Sequence, residues 1–269
     1  MTDDADRQSD RFRGLQRWAG GHTGSQSGTD SGSTWFSNPS TGPQQPPPQA
    51  AQQPPEQPRT PEQRYAAAIA EMNRIVATLD FDALPWVTDV FRTTASALHK
   101  SDPARAGVLN NLGSAAQLTH LRTGDRADLE DAVAYYRSAT STARDDDPDL
   151  VLYRCNLALA LADQAGRSGD AEGAAESIRV AREAVEQTPR RDQRRGMALV
   201  RLGNALKLHA RLAGDPKSDD ESINVFREAV RSSAGGESAP ELLINLGSAL
   251  LRRYERAGRS RTWTRASRT

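Results

Sequence analysis

The sequence predicts an all-α protein, an α-solenoid of helical hairpins carried behind a disordered N-terminal arm. Three observations carry that prediction. Self-comparison of the 269-residue chain gives a register near 45 residues, in which Leu112, Leu157, Leu202 and Leu246 stand 45, 45 and 44 apart. From Thr60 onward Ala, Leu, Arg and Glu dominate and β-branched runs are missing, which is the composition of helices. Before Thr60 the chain is rich in Gly, Ser, Pro and Gln, and nine of the 15 prolines fall at or before Pro61. Such sequence cannot bury enough apolar area to offset its chain entropy.

Taken in order, residues 1–60 form the arm. Pro43-Gln-Gln-Pro-Pro-Pro48 favours extended polyproline II and reads as a spacer, or as a ligand for an aromatic-lined groove. Arg11-Phe-Arg-Gly-Leu-Gln-Arg-Trp18 is a basic-aromatic island, either solvated or docked on a partner. Residues 61–101 read as an N-terminal cap helix and an incomplete repeat. Thr60-Pro61-Glu62 starts the first helix with a capping hydroxyl, a proline at the first helical position and an acid in the first turn. Tyr65, Ile69, Met72, Val76 and Leu79 make its apolar stripe. Val90-Phe91-Arg92 stands 45 residues before Tyr135-Tyr136-Arg137, so residues 84–100 look like a second repeat helix. The helix at 62–79 is then its partner or a cap.

Residues 102–258 hold the repeats proper. Asn111-Leu112-Gly113-Ser114-Ala115 aligns with Asn156-Leu157-Ala158-Leu159-Ala160, with Arg201-Leu202-Gly203-Asn204-Ala205 and with Asn245-Leu246-Gly247-Ser248-Ala249. The turn that follows recurs as Gly124-Asp125, Gly169-Asp170, Gly214-Asp215 and a degraded Gly258-Arg259. In the second helix Val133, Ile178 and Ile223 keep the spacing, as do Tyr136, Ala181 and Phe226, and Ala139, Ala184 and Ala229. A Gly or Ala after each Leu lets the paired helix approach closely, and the Tyr/Ala/Phe position fills the gap. A single hairpin cannot bury both of its faces, so stacking is required.

These residues resemble the tetratricopeptide repeat. Leu112-Gly113, Leu202-Gly203 and Leu246-Gly247 look like its Leu-Gly pair. Ala132, Tyr136 and Ala139, then Phe226 and Ala229, look like its small-aromatic-small signature, and Pro189 falls where its closing proline does. The departure is length, since the usual repeat has about 34 residues. The long form, with Leu-Asn-Asn-Leu-Gly, Arg-Thr-Gly-Asp and Asp-Leu-Glu-Asp-Ala-Val, is similar to arrays in actinobacterial multidomain proteins. There such arrays precede a caspase-like peptidase domain or accompany signalling ATPase modules. The resemblance implies that the first helix of each repeat lines a concave face. By position the partner-binding candidates are Asn110, Ser114, Gln117, Asn156, Arg201, Asn204, Lys207 and Ser248. The full Lys and Asn set of a carboxylate clamp is missing. The recurrent Asn111, Asn156 and Asn245 bond either neighbouring helices or a ligand.

The formal charge of zero hides an asymmetry: residues 1–60 carry net −1, 61–251 net −5 and 252–269 net +6. A uniformly basic nucleic-acid protein is excluded, although an Arg-rich tail at 259–269 is not. No apolar run is long enough to span a bilayer, and the first 25 residues lack the apolar core of a signal peptide. With one cysteine, Cys155, an internal disulfide is impossible, and the cytoplasm is the expected compartment. His22 lies in the arm, while His99, His120 and His209 form no i, i+4 metal pair. Cys155 has no peptidase-like context, Gly203-Asn-Ala-Leu-Lys207 is no phosphate loop, and Asp145-Asp-Asp147 reads as a helix cap rather than a cation site.

The expected function is therefore a non-catalytic scaffold that binds a peptide or partner protein, with no catalytic residue, metal or cofactor and no membrane contact. The alternatives are a regulatory portion of a larger signalling or caspase-like peptidase system, and nucleic-acid binding through the tail, which high salt would weaken steeply. Arg259–Thr269 departs from the repeat pattern. A GC-rich back-translation of it, read two bases on, resembles Arg126–Tyr135, so a shifted reading frame and a truncated product are expected. Leu246, Leu250 and Leu251 would then be partly exposed and invite self-association.

Overall fold

The computed structural model describes residues 60–192, 194–232 and 239–266, with side chains in the last stretch described over 242–256. The expected arm lies, apart from Thr60, outside the described residues, as do Gly235-Gly236 and residues 267–269. Among the described residues there are nine helices and no strand. They are α1 Pro61–Thr78, α2 Leu84–Ala97, α3 Ala104–Thr123, α4 Arg126–Thr142, α5 Leu150–Ser168, α6 Ala171–Gln187, α7 Arg194–Ala213, α8 Pro216–Ser232 and α9 Ala239–Ala266. Two compact units contain them, α1–α4 ending at Arg144 and α5–α9 beginning at Asp145. The stretch 102–258, one array by sequence, is divided at that point.

In the first unit α1 begins as its sequence dictates. Thr60 Oγ1 accepts from the Gln63 N–H and Gln63 Oε1 accepts from the Thr60 N–H, each at 3.2 Å, with Pro61 in the first turn. The buried stripe is Ala68, Ile69, Met72 and Ile75. It is rotated from the expected line, because Val76 is only half-buried and Leu79 is the C-cap, at a φ of 58°. Tyr65 joins α1 to both following helices. Its ring meets Phe91 of α2 edge-on at 5.6 Å, and its hydroxyl accepts from Asn111 Nδ2 of α3 at 2.9 Å. Burial pushes that hydroxyl up to about 12.

The α3–α4 hairpin shows why glycine follows leucine. A Cβ placed on Gly113 would stand 2.6 Å from a ring carbon of Tyr136, so only glycine admits the ring. In the second unit Gly203 and Phe226 repeat this, again at 2.6 Å. Between them Ala158 faces a copy whose ring is replaced by Ala181, and Ser177 Oγ donates to the Ala158 carbonyl at 2.7 Å. All nine second-helix register residues, from Val133 to Ala229, are buried. In the second unit, hairpins α5–α6 and α7–α8 pack through α6 on α7 and α5 on α7, and α9 lies on α8.

Each hairpin is fixed by two aspartates and a glycine. Asp102, Asp147 and Asp192, spaced by 45, accept from the N–H two residues on (Ala104, Asp149, Arg194) at 2.8–2.9 Å where α3, α5 and α7 begin. Gly124, Gly169 and Gly214 adopt φ of 74°, 72° and 65° and end the first helices. Asp125, Asp170 and Asp215 then cap the second helices, accepting from Ala127, Glu172 and Lys217 N–H at 2.9–3.0 Å. Arginines clasp the other ends. Arg105 donates to the Ala95 and Leu98 carbonyls after α2, and Arg195 donates to those of Val185 and Thr188 after α6.

The fourth copy breaks this pattern. The expected stop at Gly258-Arg259 and the irregular tail give way to a backbone that stays helical to Ala266. Arg259 lacks the carboxylate that would start a new helix, and Arg and Ala continue the old one. The inner side of α9 sets Leu246, Ala249 and Leu250 on Ile223 and Phe226. Arg252 and Arg256 reach the buried Asp219 at 3.0 and 2.7 Å. That position holds Leu129 and Ala174 in earlier copies, so the charge was placed where apolar residues otherwise stand.

Gly203→Leu is expected to cost about 1–3 kcal/mol or more by overpacking against Phe226. A thermal melt should fall by about 2–12 °C for a chain of this size. Gly247, with nothing within 4 Å of an added Cβ, should accept Ala with no loss. Equal effects at both sites would contradict the ring seat. Asp215 supplies a pH test. Hydrogen bonds from Ser218, then from backbone N–H groups, hold its carboxyl below the ordinary 3.8. A depressed pKa gives stability that is full above about pH 4 and is lost as pH falls through the lower folded value. The melting difference between wild type and Asp215→Ala should thus be constant at neutral pH and shrink below pH 4.

Candidate functional site

A groove of about 470 Å³ lies in the second unit, between α6 and α8 and over α7. Ile178 and Leu206 line its floor. Arg182 of α6 pairs with Glu221 of α8 at 2.6 Å, so the walls are joined by an ion pair, and Arg179 pairs with Glu183 at 2.7 Å along the rim. At one end His209 Nδ1 lies 3.0 Å from Ser218 Oγ. Ala175 opens the groove: it is exposed, and the same register position carries Glu130 and Asp220 in the neighbouring copies. The arrangement suits an apolar side chain whose neighbours carry both signs of charge.

The residues singled out from the sequence are distributed otherwise. Asn110, Ser114, Gln117, Asn156 and Arg201 are buried. Ser114 Oγ and Gln117 Oε1 each lie 3.1 Å from the Tyr136 hydroxyl, Gln117 as its acceptor, so both serve the buried ring. Lys207 is half-buried, with Nζ 6.0 Å from the centre of the Phe226 ring. Asn204 is half-buried, and Ser248 is exposed and donates to the Ile244 carbonyl at 2.8 Å. The structure brings Ser114 with Gln117 together and sets Asn204 and Lys207 on one helix, but it does not join the eight in a single exposed surface. Of the recurrent asparagines, Asn111 bonds a neighbouring helix through Tyr65.

Sequence reasoning missed the groove because it followed first helices, where the resemblance pointed. The small Ala175 between two charged register partners was the available signal.

The reactive side chains are locally engaged. Cys155 is fully buried among Val151, Ala184 and Ala198, and burial pushes its thiol up to about 12 against a smaller pull from Arg201. His99 Nδ1 lies 2.7 Å from Ser101 Oγ, and His120 Nδ1 donates to the Asp125 carbonyl. Asp147 of the acidic triplet accepts from the Asp149 N–H. Among the described residues no group of His, Cys, Asp and Glu could hold a metal ion, and no helix is long and apolar enough to cross a membrane. Comparison with protein-family models, with curated proteins and with solved structures finds no match.

Cys155 should resist a water-soluble thiol reagent at pH 8 in the folded chain and react fully once denaturant unfolds the second unit. Rapid labelling without denaturant would show that this core opens in native conditions.

Proposed function

We propose that the chain is a non-catalytic interaction module, an α-solenoid of tetratricopeptide type that binds a peptide or partner protein. The observation that carries this reading is the α6–α8 groove, entered beside the exposed Ala175, floored by Ile178 and Leu206 and rimmed by paired charges. Grooves with an apolar floor and a polar rim take an anchoring side chain from a partner and fix its orientation at the edge. The repeat register supports the solenoid, since three copies spaced by 45 residues share caps and buried faces, and two of them share a ring seat. The first-helix residues Asn204 and Lys207 keep some exposure and form a second surface for the same partner.

The test is capture from a native cell extract by the full chain, compared with Ala175→Trp and a control, Ser138→Trp on the exposed side of α4. Both substitutions are at exposed sites and should leave stability within about 0.5 kcal/mol. The expected result is a protein retained by wild type and control and lost by at least tenfold with Ala175→Trp. A partner retained equally by Ala175→Trp overturns the groove as the site. Loss on Lys207→Ala alone would move it to the first-helix surface.

A further inference from the structure

The outer face of α9 carries Leu243, Ile244, Leu251 and Tyr254, which are 54%, 67%, 57% and 77% exposed. Residues 242–251 contain no charge. Gly247 sits among these residues with nothing within 4 Å of an added Cβ. Leu246-Gly247-Ser248-Ala249 is identical to Leu112-Gly113-Ser114-Ala115. In that earlier copy the glycine receives the ring of Tyr136, and the serine Oγ lies 3.1 Å from its hydroxyl. Gly247 and Ser248 thus form the same tyrosine seat, open to solvent. Of the five tyrosines only Tyr254 is exposed. It lies seven residues from Gly247, two helical turns along one stripe, and so cannot reach its own seat.

We infer that α9 pairs with α9 of a second copy of this chain, antiparallel about a twofold axis near Leu251. Tyr254 of each copy enters the Gly247-Ser248 seat of the other. The contact is reciprocal, so it closes as a dimer and does not propagate. The partner face is as free of charge as the first, so no like charges oppose each other across its centre. A patch of a few hundred Å² on each copy is of the size that marks an interaction surface. Two such patches bury on the order of 1,000 Å², the lower limit for a specific interface, which fits a micromolar, concentration-dependent dimer. Arg252 and Arg256 hold the opposite side of α9 on Asp219, so the helix presents this face already ordered.

The experiment is sedimentation of the full chain across a concentration series, with Tyr254→Ala and Gly247→Leu beside it. Both residues border open space, so the monomers should keep their circular dichroism. The expected result is a wild-type dimer in the micromolar range that each substitution weakens at least tenfold. Mixing Gly247→Cys protein with Tyr254→Cys protein should give a heterodisulfide across the pair, without interference from the buried Cys155. A dimer insensitive to both substitutions overturns the pairing, as does a chain that stays monomeric throughout. In that monomer, a Tyr254→Cys thiol shielded from labelling would assign the face to residues 1–59. Free labelling would assign it to a different protein.

Discussion

A ring carbon 2.6 Å from where a Cβ would stand leaves no room for any residue but glycine, and two copies of the repeat are built on that contact. The seat sets how closely the first and second helices of a hairpin approach. It thereby fixes which residues around it are buried. The positions two and five after the leucine follow the ring. Ser114 and Gln117 accompany Tyr136, whose hydroxyl needs polar partners at depth, and Asn204 and Lys207 accompany Phe226, over which a cation can lie. Leu159 and Ala162 accompany Ala181, where neither demand exists.

The frame around the seat is made of local bonds. Two aspartates and one left-handed glycine per copy satisfy the backbone groups that a helix leaves unpaired at its ends. These positions carry little packing of their own, so they can repeat at fixed spacing while the core beside them varies. The register therefore survives in the middle copy, where the ring is missing and Ser177 donates to a carbonyl instead.

Much of this was legible in the sequence. The spacing of Leu112, Leu157 and Leu202 located the first helices, and the nine second-helix residues that keep the same spacing are all buried, because periodicity records which side of a helix is enclosed. The polar residues were harder. Ser114 and Gln117 look like surface groups until the depth of the Tyr136 hydroxyl is known, and that depth depends on tertiary contact. Asp219 is similar: an acid in an amphipathic helix gives no sign that two arginines from α9 will enclose it. The continuation of α9 past Gly258 was missed for another reason. A lone glycine inside a helical pattern is tolerated, and Gly258 is not followed by the capping aspartate that accompanies Gly124, Gly169 and Gly214.

The two kinds of helix cap differ in chemistry, and that sets the start of a helix apart from its end. Carboxylates guard the starts of helices and lose their charge in acid, whereas the guanidinium groups of Arg105 and Arg195 guard the ends of α2 and α6 and keep theirs. Acid would therefore loosen helix beginnings while these two ends stayed tied. In base the same polarity disappears, since neither group changes charge there. In an acidified medium each hairpin would loosen at both of its ends, wherever a helix begins, so the order of opening would depend on how it was unfolded.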